Sequence, residues 1–329
     1  MFDVIVFGGA TRDFFYISSD YKVKVDRLEL VWGEKIVADS LYKDVGGGGC
    51  NAAVGFARLG LKTALFSQVG SDSSGEEIAN RLKQEGIDPA YLKVKPNGIT
   101  SSSAILAAKS GEHTIVMYRG TNDQLIDREV DWKGVRNTRW LYVADIAAKE
   151  SDPCLELARL AGNFSLKLAF VPGQHQLRGG LDSLMPILAE TEILILNCFE
   201  ACEILGENYT KVTEAAISKM LRNFQSLGVQ TTVITRDVKG VAVCDNDKII
   251  FEPAPDVPIV TDTTGAGDAF ASGFVGARML GTDLKTAIGW GTRNSGSVIG
   301  SYGAQTGLLR IESLSGVTGR CKEKICNQI

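Results

Sequence analysis

Asp262-Thr263-Thr264-Gly265-Ala266-Gly267-Asp268-Ala269-Phe270 is the stretch from which the rest of the chain can be read. It leads into Ala269, Phe270, Gly273, Phe274 and Ala277, whose i, i+3/i+4 spacing is that of a helix burying one face. The glycines therefore fall at a helix start, where the first amides lack intrahelical acceptors and carry the positive end of the dipole. Small residues let an anion approach those amides closely, so Gly265, Ala266 and Gly267 form a candidate phosphate cradle. Asp268 follows in the first turn, where a carboxylate can take a proton from an alcohol held against the phosphate. The same residues also have a plain structural reading, with Asp262 or Thr264 capping the helix and Asp268 complementing its dipole.

Outward from this stretch, strands and helices alternate. Val4 to Phe7 reads as a buried strand ending in Gly8-Gly9, with Asp13 just beyond it. Gly46-Gly47-Gly48-Gly49-Cys50-Asn51 opens a helix carrying Ala53, Val54, Ala57 and Leu61, and four glycines allow close backbone approach to a bound group. Thr63 to Val69 and the helix ending at Gln84 make one β-α step. Strands at 140–144, 167–171, 192–196 and 230–235, with helical patterns between them, imply a parallel sheet with helices on both faces. Val241 to Cys244 and Lys248 to Phe251 flank a polar turn and read as an edge hairpin. Residues 266–280 and 283–300 read as two closing helices. Phe14 to Ile17, Lys35 to Val45, Thr100 to Ala108 and His113 to Tyr118 are extended pieces of a β flap, the last two joined by the turn 109–112.

Composition excludes several classes. The 329 residues, 44% hydrophobic and 22% charged, suit one large α/β domain of an ordinary enzyme. A net charge of −4 without a long run of one sign argues against nucleic acid as a partner. No apolar segment approaches the 18 residues of a membrane span, and residues 2–10 are too short for a signal sequence, so a cytoplasmic location is expected. Seven cysteines without zinc-type spacing read as reduced core thiols, and the two histidines, His113 and His175, lie too far apart for a metal site.

Together these pieces resemble the ribokinase, or PfkB, family of carbohydrate and nucleoside kinases over nearly the whole chain. Two motifs carry the resemblance: Gly46-Gly47-Gly48-Gly49-Cys50-Asn51 continuing to Gly60, and Asp262 to Asp268. Asp13, Val69-Gly70 with Asp72 and Gly75, Asn197-x-x-Glu200 and Gly303-Ala304-Gln305 align as well. The resemblance implies a ribokinase-like three-layer α/β sandwich in a single domain, 1–329. A mostly parallel sheet flanked by helices carries a small β-sheet lid from segments about 12–45 and 98–121, through which a homodimer is expected.

It further implies an ATP-dependent phosphotransferase acting on the hydroxymethyl group of a small sugar or a nucleoside. Asp13, Gly46, Gly47 and Asn51 are expected to hold substrate hydroxyls, Asp268 to act as base, and the amides of Gly265, Ala266 and Gly267 to bind the γ-phosphate. Asn197 and Glu200 are expected to organise Mg²⁺ through water, Thr235, Gly240 and Asn294 to meet the nucleotide, and Asp262 with the Gly303 region to hold K⁺.

Three positions depart from the family pattern. Asp237 replaces the first glycine of a Thr-x-Gly-x-x-Gly turn at Thr235 to Gly240, where its carboxylate is expected to be turned away or paired with Arg236 or Lys239. Val171 stands where an acidic residue is common, and Gly48 where ribokinase tends to have lysine. Phe14, Phe15, Tyr16, Met117 and Tyr118 either cover a nucleoside base or form lid core, and Arg119 offers a partner for a sugar acid. A family member that has lost catalysis and serves as a ligand-binding regulatory subunit is the alternative from another class. A dinucleotide-dependent dehydrogenase fails, because Gly8-Gly9-Ala10 lacks the G-x-G-x-x-G turn.

Overall fold

Strand β1 (Phe2–Phe7) shows why the molecule has two cores. Val4 and Val6 enter one apolar cluster, Ile5 and Phe7 another, and all four are fully buried. Side chains alternate across a strand, so a strand apolar at every position needs cover on both faces. The computed structural model describes residues 1–24, 27–109, 112–123, 130–146 and 153–315.

Along the chain, β1 is followed by β2 (Thr11–Ser18), the antiparallel pair β3 (Lys22–Lys24) and β4 (Arg27–Glu29), and β5 (Ser40–Gly46). Next come α1 (Gly48–Arg58), β6 (Thr63–Gly70), α2 (Ser73–Gln84), β7 (Leu92–Lys95), β8 (Ser102–Ala108) and β9 (His113–Tyr118). The middle runs α3 (Trp132–Val135), β10 (Thr138–Val143), α4 (Pro153–Phe164), β11 (Lys167–Phe170), α5 (Gln174–Leu177), α6 (Gly180–Leu188), β12 (Ile193–Asn197), α7 (Cys198–Leu205) and α8 (Glu214–Ser226). It closes with β13 (Thr231–Thr235), β14 (Val241–Asp245), β15 (Lys248–Glu252), α9 (Ala266–Met279), α10 (Leu284–Val298) and α11 (Ile311–Ser315).

Nine strands form the main sheet in the order β15-β14-β13-β12-β11-β10-β1-β6-β7. All neighbours are parallel except β13-β14-β15, the expected edge hairpin and its neighbour. Phe56 of α1, Phe270 and Phe274 of α9 and Ile288 of α10 pack with Val4 and Val6; Leu157 of α4, Leu184 of α6, Ala201 of α7 and Phe224 of α8 pack with Ile5 and Phe7. Each such side chain contributes roughly 1.5–3 kcal/mol by leaving water. The result is a three-layer α/β sandwich with a mostly parallel central sheet, as expected.

A separate sheet, β5-β2-β8-β9, is antiparallel except for the β2-β8 pair. Phe15, Ile17, Ile105 and Ala107 form its buried face, packed with Tyr42 and Tyr302. The Tyr42 hydroxyl lies 3.1 Å from Thr306 Oγ1, which ties this lid to the loop after α10. Lys35 to Asp39, expected as strand, are outside β5, and the expected turn at 109–112 includes residues outside those described. Cys50, Cys154, Cys198, Cys202 and Cys244 are buried and form no disulfide.

Candidate active site

The two glycine motifs meet in space. α1 and α9 pack side by side because small residues line their contact: a Cβ on Gly55 would fall 2.6 Å from Ser272 Cβ. That packing brings Asn51 Nδ2 within 2.8 Å of Asp268 Oδ2, to which it donates. Asn51 Oδ1 accepts from Gln305 Nε2 at 3.0 Å, and the Gln305 carbonyl accepts from Arg58 Nη1 at 2.8 Å. Arg58 is itself paired with Glu85, the residue that follows α2, so a chain of bonds runs from there to Asp268. Asp268 is half-buried, and withdrawal from water raises its carboxyl above the ordinary range while the Asn51 bond pulls it down.

The start of α9 is shaped for an anion. Gly265 has φ of +78°, and a Cβ there would meet Ala304 Cβ at 2.3 Å, so glycine is required. Gly267 is exposed with open space where a Cβ would be. The Ala266 amide, expected in the cradle, instead donates to the Thr263 carbonyl at 3.2 Å. Among the described residues the amides of Gly265, Gly267 and Asp268 take no acceptor from the chain, so Asp268 takes the place of Ala266 among the open donors.

Asp13 lies on β2 opposite Asp44 of β5 and is buried. Burial pushes its carboxyl up to about 7, against a hydrogen bond from Ser103 and with the nearby Asp44 adding to the rise. A Cβ on Gly46 would sit 1.9 Å from Asp13 Oδ2, and one on Gly47, at φ +91°, 2.6 Å from the Gly9 carbonyl. The glycine run is thus what lets β5, Asp13 and the end of β1 converge. Beside them a small cavity of ≈ 70 Å³ is lined by Gly47, Gly48, Ser67, Arg119, Asn122 and Asp145 among others. Gly48 places the cavity next to the Asp268 carboxylate: its Cβ would be 3.5 Å from Asp268 Oδ1.

On the other flank, Asn197 and Glu200 form a capping box at the start of α7. Asn197 Oδ1 accepts from the Glu200 amide and Glu200 Oε2 from the Asn197 amide, both at 2.8 Å. Burial raises the Glu200 carboxyl. Thr235 ends β13, and Gly240, at φ +85°, leaves no room for a Cβ against the Glu252 carbonyl.

Asp237 is exposed at φ +50°, and its expected partner is engaged elsewhere: Arg236 stacks over Phe251, bonds the Lys239 carbonyl and pairs with Glu214. Asn294 is likewise committed inside the protein, donating to the Ala269 carbonyl at 2.7 Å and accepting from the Leu309 amide at 2.8 Å. It braces the first turn of α9. Val171 packs against the core.

Asp262 is buried beside the lid. Its Oδ1 accepts from the amide and hydroxyl of Thr264 and lies 3.6 Å from His113 Nδ1 of β9. Its Oδ2 carries no bond from the chain. Sequence reading left out His113 here, together with Ser67, Asn122 and Asp145. Asp145 had a signal: it lies two residues past β10, and ligands gather at the carboxyl ends of parallel strands.

Comparison with known proteins fits this geometry. A ribokinase of Haemophilus influenzae is 30% identical over 283 residues, 84% of this chain and 88% of that protein. A nucleoside kinase of Methanothermobacter thermautotrophicus is 26% identical over 265 residues, 80% of this chain and 81% of that protein. A ribokinase of Cryptococcus neoformans, solved in complex with ADP, superposes with a TM-score of 0.77 at 25% identity, covering 96% of this chain and 99% of the other. Residues 2–311 match the family described as pfkB family carbohydrate kinase, and the chain belongs to that family.

Proposed function

We propose that the chain moves the γ-phosphoryl group of ATP onto a hydroxymethyl oxygen of a small sugar, with Asp268 as general base. The observation that carries this reading is a convergence at one point: a carboxylate oriented by Asn51, the acceptor-free amides of Gly267 and Asp268, and the cavity wall at Gly48. Asp268 takes the proton of the alcohol as its oxygen attacks the γ-phosphorus in line. A new P–O bond forms, the bond to the β-phosphate bridge breaks, and ADP leaves with the electron pair. The amides at the α9 start meet the charge on the transferring group. Asp13, Gly46, Gly47 and Asn51 hold the sugar, and Thr235 and Gly240 border the nucleotide. ATP as donor draws on the ADP bound by the Cryptococcus ribokinase.

Asn197 and Glu200 suit a hard cation, since the capping box uses one oxygen of each and leaves Glu200 Oε1. No group of three or more His, Cys, Asp or Glu side chains gathers for a metal among the described residues, which suits contact through water. Bound Mg²⁺ neutralises nucleotide phosphate charge. The bond-free, buried Asp262 Oδ2 suits K⁺. A nucleoside acceptor is the second reading, favoured by Met117 in the cavity wall. Ile115, Val116 and Tyr118, exposed on edge strand β9, suit a dimer contact through the lid.

The test is acceptor-dependent ADP formation across pentoses, hexoses, sugar acids and nucleosides. Asp268→Asn is expected to lower kcat by about 10²–10⁴ with nucleotide affinity unchanged. A variant at full rate removes Asp268 from the role; wild type without turnover on any acceptor leaves a ligand-binding regulatory subunit.

A further inference from the structure

Among the described residues, Ser67, Asn122 and Asp145 of the cavity wall each hold a buried side-chain oxygen without a hydrogen-bond partner: Ser67 Oγ, Asn122 Oδ1 and Asp145 Oδ1. They come from β6, the turn after β9 and the end of β10, and each atom is out of contact with solvent. The orientation of Asn122 is set, because its Nδ2 donates to the Ala10 carbonyl at 3.1 Å. An amide oxygen and a carboxylate oxygen can only accept, and a serine hydroxyl can do either. The complement of this wall is a group that donates, such as a sugar hydroxyl. A phosphate or carboxylate group brings acceptors alone.

Charge leads to the same conclusion. Arg119 is the one cation in the cavity wall among the described residues. Both of its terminal nitrogens lie 3.4 Å from Asp145 Oδ2, and its Nε lies 4.0 Å from Asp123 Oδ1. An anion drawn to Arg119 would have to displace or approach these carboxylates.

Resting on the kinase reading above, we propose that the acceptor is an uncharged polyol whose hydroxyls donate to Ser67, Asn122 and Asp145, and that phosphorylated sugars and sugar acids are turned away. Arg119 is then a positioning residue: it orients Asp145 and does not bind a substrate anion.

The deciding experiment is calorimetric titration of the full chain, without nucleotide, with a free pentose and a free ketohexose, with the same sugars phosphorylated away from one hydroxymethyl group, and with a hexonic acid. A neutral sugar is expected to bind about 10²-fold or more tightly than its charged counterpart. Asn122→Ala is expected to weaken the neutral sugar by roughly 10–100-fold. Asp145→Asn releases Arg119, so it should weaken the neutral sugar while improving the phosphorylated one about tenfold; a merely structural Asp145 would lower both.

Tighter binding of a charged sugar by the wild type, no saccharide bound, or unchanged neutral-sugar affinity in both variants overturns the proposal. Selective binding of neutral sugars with no ADP formed from any acceptor would instead sink the kinase reading and leave this one standing.

Discussion

The two ends of one cleft treat hydrogen bonds in opposite ways. Next to Asp268 a chain of bonds runs from Glu85 through Arg58, the main-chain carbonyl and the side-chain Nε2 of Gln305, and Asn51 to Asp268, with Gln305 Oε1 the atom of this chain left without a partner among the described residues. At the far end Ser67, Asn122 and Asp145 each hold an oxygen with no bond from the chain. A bonded side chain keeps its geometry before any ligand arrives, which a base needs if it is to meet a proton without rearranging. An open acceptor stores a desolvation cost of roughly 1–3 kcal/mol that only a matching donor relieves. On the proposed reading one end sets the reaction and the other the substrate, and variants at the two ends should move stability in opposite directions.

Asp13 is the extreme case of stored cost. Its carboxyl is pushed up to about 7, chiefly by burial, from an ordinary 3.8. The folded chain thus holds this proton more tightly than the unfolded chain does. The stability it contributes is fully present below about pH 4 and is lost as pH rises through about 7. About three pH units at ~1.36 kcal/mol each bound the loss at roughly 4 kcal/mol. Asp13→Asn cannot ionise, so its Tm should exceed that of the wild type at pH 8, and the gap should close toward pH 4. Sugar affinity should fall in the same variant. A variant less stable than wild type at pH 8 would mean that Asp13 holds the lid together and stores nothing.

Gln305 tests the bonded end. Gln305→Glu replaces the donor to Asn51 Oδ1 with an acceptor, so Asn51 turns its amide round and takes Nδ2 away from Asp268. Expected are a kcat lower by roughly 10–100-fold and an acid limb of the pH–rate profile shifted upward. The sign follows from the two influences on Asp268: burial raises its carboxyl, and the Asn51 bond that lowers it is gone. Gln305→Ala, which leaves Asn51 unopposed, should lose less. An acid limb that stays put would show that Asn51 is oriented by something other than Gln305.

How much of this was legible in the sequence depends on range. The helix starts at Gly48 and Ala266, the parallel strands and the edge hairpin were readable because period and glycine clusters are local signals. The cavity wall was not, since Ser67, Asn122 and Asp145 lie on separate segments that only the sheet order β10-β1-β6 and the lid bring together. Adjacency also misled. Arg236 is next to Asp237 in the chain, yet the left-handed backbone at Asp237 leaves its carboxylate exposed while Arg236 lies on Phe251. Asn294 shows the limit of carrying a role over by resemblance: its amide is spent on Ala269 and Leu309.

Ser67 gives the smallest effect and the clearest sign. It is buried on β6 with a hydroxyl that no group among the described residues meets. Ser67→Ala removes a dehydrated oxygen and leaves a space too small to cost much, so the ligand-free protein should gain about 1 kcal/mol. The same change deletes a partner for a sugar hydroxyl, so affinity for the neutral acceptor should fall by roughly 5–10-fold. Thermal melting without and with sugar reads both: the variant should melt above the wild type alone and gain less from saturating sugar. Destabilisation without ligand would show that Ser67 is satisfied within the fold, and the contrast between the two ends would then rest on Asn122 and Asp145.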